Sequence, residues 1–259
     1  MECIPRILPR LTSRELSEIE ADIRNPGSHN EGKIETFEVS FARYVGRKYA
    51  FYVPSAKYGL YHLLKCLNLK DGDMVIIPAF CHPYIPAMVI AAGLVPLFAD
   101  VEENSCNLSV TTIPLPYWNM AKAMIVSHLF GNPAPVNDLM DMAKENGLIV
   151  IEDCSMALGA TIFGQMLGKF GRGAFFDLSY NSNLTLFEGG MVVTDDSHIK
   201  DKILSNRAED FITIQELARK YNNYMKIQSW TTGGKCDILR MLLSVSLNFN
   251  KDFIQEYLE

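Results

Sequence analysis

Several kinds of segment are missing from this 259-residue chain. No stretch approaches the roughly eighteen uninterrupted apolar residues of a membrane helix. The opening MECIPRILPRL lacks a continuous apolar run of signal-peptide length, so residence in the cytoplasm is the expectation. Neither Lys nor Arg forms a run, and a formal charge of −6 with a pI near 5.4 argues against nucleic acid or a membrane surface as partner. The six cysteines (Cys3, Cys66, Cys81, Cys106, Cys154, Cys236) contain no CxxC pair and no regular spacing. Neither a metal site nor a disulfide framework is therefore indicated, and reduced, mostly buried thiols are expected. No internal repeat or low-complexity tract is visible.

What is present is enough apolar residue, 48% of the chain, to build one large core. SRELSEIEAD, from Ser13 to Asp22, reads as a helix with Ser13 as its cap. Lys33 to Val45 reads as a second, with Ile34, Phe37, Phe41, Tyr44 and Val45 along one face. Short apolar strands then alternate with helices. YAFYV, MVIIP, LVPLFAD, KAMIVSHL and LIVIED are strands, and helices cover Tyr58 to Leu67, Pro86 to Ala92 and Val136 to Gly147. FFDLSYNSNLTLFEGGMVVT, Phe175 to Thr194, reads as two more strands joined by a polar crossing. The alternation predicts an α/β fold, a mostly parallel central sheet with helices on both faces. Residues 1–210 form the large domain in this reading. Residues 211–259 form a helical segment packing on it or on a partner, with an apolar stripe at Ile238, Leu239, Leu242, Leu243, Val245 and Leu247.

Parallel sheets bind ligands beyond the carboxyl ends of their strands. The candidates are therefore Pro54 to Lys57, Phe80 to His82, Asp153 to Met156, and Ser179 to Asn183.

These segments carry a resemblance. FEVSFARYVGRKYAFYVPS, DGDMVIIPAFCHPYIPAMVIAAGLVPLFADVEENSCNLS, SHLFGNPAPVNDLMDMAKENGLIVIEDCSMALGA and LFEGGMVVTDD are together similar to the DegT/StrS-type sugar aminotransferases, in order, over roughly residues 30 to 207. The resemblance implies the three-layer α/β/α large domain of fold type I pyridoxal-phosphate transferases. It also implies a dimer with sites at the subunit boundary, and a small C-terminal domain that this chain mostly lacks. Asp153 matches the carboxylate that pairs with the cofactor's pyridine nitrogen, and His82 the aromatic side chain that stacks on its ring, a contact of about 0.5–1.5 kcal/mol beyond burial. His128 matches a position that often holds a histidine near the site, and it reads here as structural.

The departures from the family pattern are as informative. Aligning Phe176 and Asn183 with the ends of F-S-F-x-x-x-K-N places Ser182 where the Schiff-base lysine belongs, and a serine hydroxyl cannot replace that amine. Asp177 stands where a serine contacts the cofactor phosphate. Ala56 and Lys57 replace a Gly-Thr phosphate cradle, and Met156 replaces a glutamine. Lys57 and Asp177 could neutralise one another, and Lys57 is the one amine with a claim to be a displaced Schiff-base former. These replacements lead to the expectation of a degenerate, truncated member, without transaminase activity and more often without pyridoxal or pyridoxamine phosphate than with it. It would act as a ligand-binding or partner subunit, as a homodimer or with an active paralogue, on a nucleotide-sugar ligand. The alternative is a pyridoxal- or pyridoxamine-phosphate-dependent aminotransferase or dehydratase acting on a nucleotide-linked keto sugar, as in relatives with a histidine at the lysine position. A scaffolding dimer is a third reading.

Overall fold

A computed structural model describes residues 12–24, 32–179, 182, 184–186 and 188–206. The expected C-terminal helices, their apolar stripe and Asn183 lie outside the described residues.

Seven strands form one sheet: β1 (Tyr49–Val53), β2 (Met74–Pro78), β3 (Val95–Ala99), β4 (Ala121–Ser127), β5 (Ile149–Asp153), β8 (Gly173–Asp177) and β9 (Gly190–Thr194). A separate two-stranded hairpin joins β6 (Thr161–Ile162) to β7 (Gln165–Met166). The sheet order is β1-β9-β8-β5-β4-β2-β3. Only β9 runs against its neighbours, pairing antiparallel with both β1 and β8, so six strands deliver their carboxyl ends to one edge of the sheet. The helices are α1 (Ser13–Arg24), α2 (Lys33–Val45), α3 (Ala56–Cys66), α4 (Tyr84–Ala91), α5 (Leu115–Met120), α6 (Val136–Glu145) and α7 (Ser197–Asn206).

Strand alternation sorts the core into two faces. On one, Phe51, Val75, Ile125, Ile151, Phe175 and Val192 meet Leu60 and Leu63 of α3, Ile85 and Val89 of α4, and Ile199 and Ile203 of α7. On the other, Ile76, Met124 and Val150 meet Trp118 of α5 and Leu139 of α6, while Ala174, Phe176 and Val193 meet Phe41 and Val45 of α2. The result is an α/β/α sandwich with a mostly parallel sheet.

Local chemistry explains two departures from the sequence reading. The cap of α1 is Thr12 rather than Ser13: its hydroxyl accepts the Glu15 N–H while Glu15 accepts the Thr12 N–H and hydroxyl, a reciprocal box that needs the acid three residues on. On α2, Tyr44 faces solvent, and Glu38 is buried in the helix's inner stripe, where its carboxylate accepts the Tyr52 N–H on edge strand β1.

One buried carboxylate ties the second face together. Glu152 of β5, with no exposed surface, accepts the backbone N–H groups of Gly168, Phe170 and Gly171. It also lies 3.3 Å from His128 Nε2. His128 Nδ1 accepts the Ala134 N–H, which leaves the proton of the neutral ring on Nε2, pointing at Glu152. Arg47 approaches Glu152 to 3.8 Å and donates to the carbonyls of Gly168 and Gly171 and to Asp195. Burial pushes the Glu152 carboxyl up, but the hydrogen bonds of His128, Gly171 and Gly168 outweigh it and hold the pKa below the ordinary value. Cys154 Sγ completes a buried trio within 4.8 Å, yet the Glu152 oxygens already receive four N–H groups, so the arrangement is a hydrogen-bond hub rather than a metal centre. Its thiol is pushed well above the ordinary value by burial and by Glu152 and Asp153.

Glu152→Gln should cost about 3–5 kcal/mol at neutral pH, because it leaves the buried N–H groups of Gly168, Phe170 and Gly171 without a charged acceptor and puts a neutral amide beside Arg47. The depressed folded-state pKa places this contribution above the unfolded carboxylate value and removes it as pH falls through the folded one. Denaturant unfolding of both proteins should therefore show a gap that is wide at pH 7 and narrows in acid. A small gap, independent of pH, would contradict the account.

Candidate functional site

The carboxyl edge of the six parallel strands gathers almost every residue singled out in the sequence. Side chains two positions apart on a strand share a face, so Asp153 follows Ile151, Ser127 follows Ile125 and Asp177 follows Phe175 onto the face packed by α3 and α4. Adjacent Glu152 and His128 turn to the other side.

Asp153 is the best-held member. Only 6% exposed, it accepts the Ser127 hydroxyl at 3.0 Å on one oxygen and the Ser155 N–H at 3.0 Å on the other. Both donors are neutral, and no ion pair to Asp153 occurs among the described residues. Ser155 Oγ is 3.0 Å from Tyr84 Oη, and Tyr84 meets Phe175 edge-on and His82 at a centroid distance of 4.5 Å. His82 Nδ1 accepts the Tyr84 N–H, fixing the imidazole at the mouth of the cleft. Burial lowers the His82 pKa, against the opposing pull of Asp153 and Asp177. A flat aromatic side chain thus lies beside two carboxylates in a form that favours neutrality. Cys81, next to it, is pushed up to about 11 by burial and by Asp153, so it is a thiol and not a nucleophile at neutral pH.

The other end of the cleft lies where β8, β9 and α3 meet. Ser55 caps α3, accepting the Tyr58 N–H, and bridges to Gly189. Gly190 permits this approach: a Cβ there would lie 2.7 Å from Ala56 N and 2.8 Å from Phe176 O. Buried Ala56 and half-buried Lys57 begin the helix. Asp177 pairs with Gly190 and therefore sits beside this first turn. Its oxygens accept the Ser179 N–H at 3.2 Å and the Ser179 hydroxyl at 2.6 Å. Burial pushes its pKa up; the Ser179 hydrogen bonds and His82 resist, and Asp153 reinforces the rise.

Ser182 lies in the crossing between β8 and β9. Its hydroxyl is 2.6 Å from the carbonyls of both Ser179 and Leu184, so its proton is committed to backbone oxygen, and no base contacts it among the described residues. Met156 is 49% exposed, near the turn at Gly131. The structure thus brings together Ala56, Lys57, His82, Asp153, Met156, Asp177 and Ser182 along one edge. Sequence reasoning included Ser155 only within the candidate stretch Asp153 to Met156, without a role, and missed Ser127 and Tyr84; the three orient Asp153 and His82. Ser127 ends its strand as Asp153 does, and the pairing Ser127↔Asp153 was the available signal.

The comparisons with known proteins agree with this layout. The family model described as DegT/DnrJ/EryC1/StrS aminotransferase family matches residues 9–229. GDP-perosamine synthase of Vibrio cholerae is 32% identical over 202 residues, covering 78% of this chain and 55% of the relative. The solved aminotransferase from Psychrobacter cryohalolentis superposes with a TM-score of 0.70 at 27% identity, covering 76% of this chain and 50% of that one. The E. coli GDP-4-keto-6-deoxy-D-mannose-3-dehydratase with bound hydrated PLP does so with a TM-score of 0.70 at 25% identity, covering 77% and 53%. This chain spans about half the length of the relatives it matches. Its fold is that of the pyridoxal-phosphate fold type I aminotransferases, and the chain belongs to the DegT/DnrJ/EryC1/StrS aminotransferase family.

Proposed function

We propose that this chain holds a pyridoxal- or pyridoxamine-type ring noncovalently and serves in sugar-nucleotide biosynthesis, acting on a nucleotide-linked keto sugar without a covalent tether to the ring. The observation that carries the reading is Asp153, a carboxylate 94% buried whose fixed partners, Ser127 and Ser155, are both neutral. An anion so placed is completed by a cationic ligand, and a protonated ring nitrogen supplies the charge together with a directed N–H. His82 offers a neutral ring to stack against it. When bound, such a ring supplies an electron sink for the substrate's bonds. The chain's part is to keep the ring nitrogen protonated, to fix its plane and to shield one face.

Ser182 sets the limit on this activity. Its hydroxyl donates to backbone carbonyls and meets no base among the described residues, so it neither tethers a carbonyl group nor moves a proton at neutral pH. The family matches favour a working site over the degenerate subunit, while Ser182 and Asp177 favour the degenerate one. A noncovalent, dehydratase-like holder of the ring reconciles the two sets. The domain division at residue 210 and residence in the cytoplasm remain part of this proposal. Among the described residues no helix is long and apolar enough to cross a membrane.

The partner is a second copy or a paralogue that meets this chain at the mouth of the cleft. Phe80 and Phe130 are 51% and 67% exposed there, their rings 6.4 Å apart, an apolar pair that a subunit interface would cover. Light scattering on the purified chain should give a dimer that Phe130→Asp shifts towards monomer, and a monomer that stays so at high concentration would favour the paralogue.

The ring itself is tested by fluorescence titration of dialysed protein with pyridoxamine and its phosphate. At least one should bind saturably, and Asp153→Asn should weaken it about tenfold to a hundredfold, the loss expected for a hydrogen bond to a charged group. No saturable binding of either ring would contradict the proposal.

A further inference from the structure

Resting on the reading that Asp153 holds the ring nitrogen, we infer that the cleft selects a ring without a phosphate: its ligand is of the pyridoxamine or pyridoxal class, with a neutral hydroxymethyl group where relatives of this fold would hold a phosphate ester. The residues fit the pyridine end of the group and do not fit the phosphate end.

Strand register fixes the spacing of the two carboxylates. Asp153 is opposite Phe175 across β5 and β8, so Asp177 lies one strand over and two residues further on, with its side chain on the same face. A strand spacing of about 4.8 Å and a rise of about 3.3 Å per residue put the two Cα atoms roughly 8 Å apart, a separation a substituted pyridine spans. A ring anchored on Asp153 can therefore extend its 5-hydroxymethyl or ester arm towards the place where β8, β9 and α3 converge. The first turn of α3 there would attract an anion. Asp177, however, occupies the same corner: it pairs with Gly190, where a Cβ would lie 2.7 Å from Ala56 N.

Among the described residues the Asp177 oxygens accept only from the N–H and hydroxyl of Ser179, donors that favour the ionised carboxylate against the upward push of burial. Lys57 brings one positive charge to this turn, which offsets one unit of a phosphate dianion and leaves the rest facing a carboxylate. A hydroxymethyl group meets no such opposition. It can donate to Asp177, and the carboxylate that repels a phosphate becomes the acceptor that recognises an alcohol. The pair Asp153 and Asp177 then reads as a site for a cationic ring with hydrogen-bond donors at both ends.

Calorimetric titration of the full chain at pH 8, where the phosphate is a dianion, compares pyridoxamine with pyridoxamine phosphate. Pyridoxamine should bind at least about tenfold more tightly, and Asp177→Ser should shift the ratio towards the ester by about a hundredfold, the factor for one unit charge about 5 Å away in a medium of dielectric near 20. Asp177→Asn, which keeps the volume and removes the charge, should shift it in the same direction if the serine variant fails to fold. In the unmodified chain, an ester that binds as tightly as pyridoxamine or more tightly would overturn the inference and leave the Asp153 reading standing. Failure of both rings to bind would overturn both.

Discussion

The end of β5 governs the rest of the molecule. Glu152 and Asp153 are consecutive, and the pleat sends one carboxylate into each face of the sheet. Glu152 is saturated by three backbone N–H groups and His128, with Arg47 nearby, and so fixes the loop at residues 168–171 against α2 and β4. Asp153 is held as well, but by a hydroxyl and an amide, both neutral donors, with no ion pair among the described residues. One carboxylate locks the scaffold, and its neighbour, held by that lock, is the one proposed to meet a ligand.

The cleft built on this pair is uneven along its length. At the β5 end, Ser127, Ser155, Tyr84 and His82 form a connected shell in which each polar group has a partner, the arrangement that keeps a binding carboxylate in place. At the β8 end, Ser182 offers no amine and Asp177 adds a like charge. Two unit charges about 5 Å apart at an effective dielectric near 20 repel by about 3 kcal/mol, which exceeds the roughly 0.5–1.5 kcal/mol of ring stacking. On the proposed reading, charge at the β8 end therefore outweighs contact with the ring in selecting the ligand.

Much of this was legible in the sequence because it is local. The bounds of α2, β1 and β2 agree with the expected spans; Asp153 ends β5, and His82 and Ser182 lie in the segments that follow β2 and β8, at the edge where a parallel sheet places ligands. Other features depend on partners distant in the chain. Glu152 looked like one more residue of LIVIED; its role appears only when residues 47, 128 and 168–171 converge on it. Ser127 and Tyr84 reach the site through β4 and α4, 26 and 71 positions from Asp153 and Ser155 respectively. Helix α5 is six residues long with a proline near its start, and the β6–β7 hairpin has two-residue strands, too short for periodicity to register. The reversal of β9 likewise leaves no trace in an apolar run that reads the same in either direction.

The most direct test of the account is whether the ring is ever bonded to the protein. Borohydride reduction of the chain incubated with pyridoxal, followed by peptide mapping, should find no pyridoxyl group in the cleft of the unmodified protein. The variant Ser182→Lys, which restores an amine at the centre of the crossing, should carry one at residue 182. A pyridoxyl group recovered on Lys57 of the unmodified chain would contradict the claim that this site works without a tether.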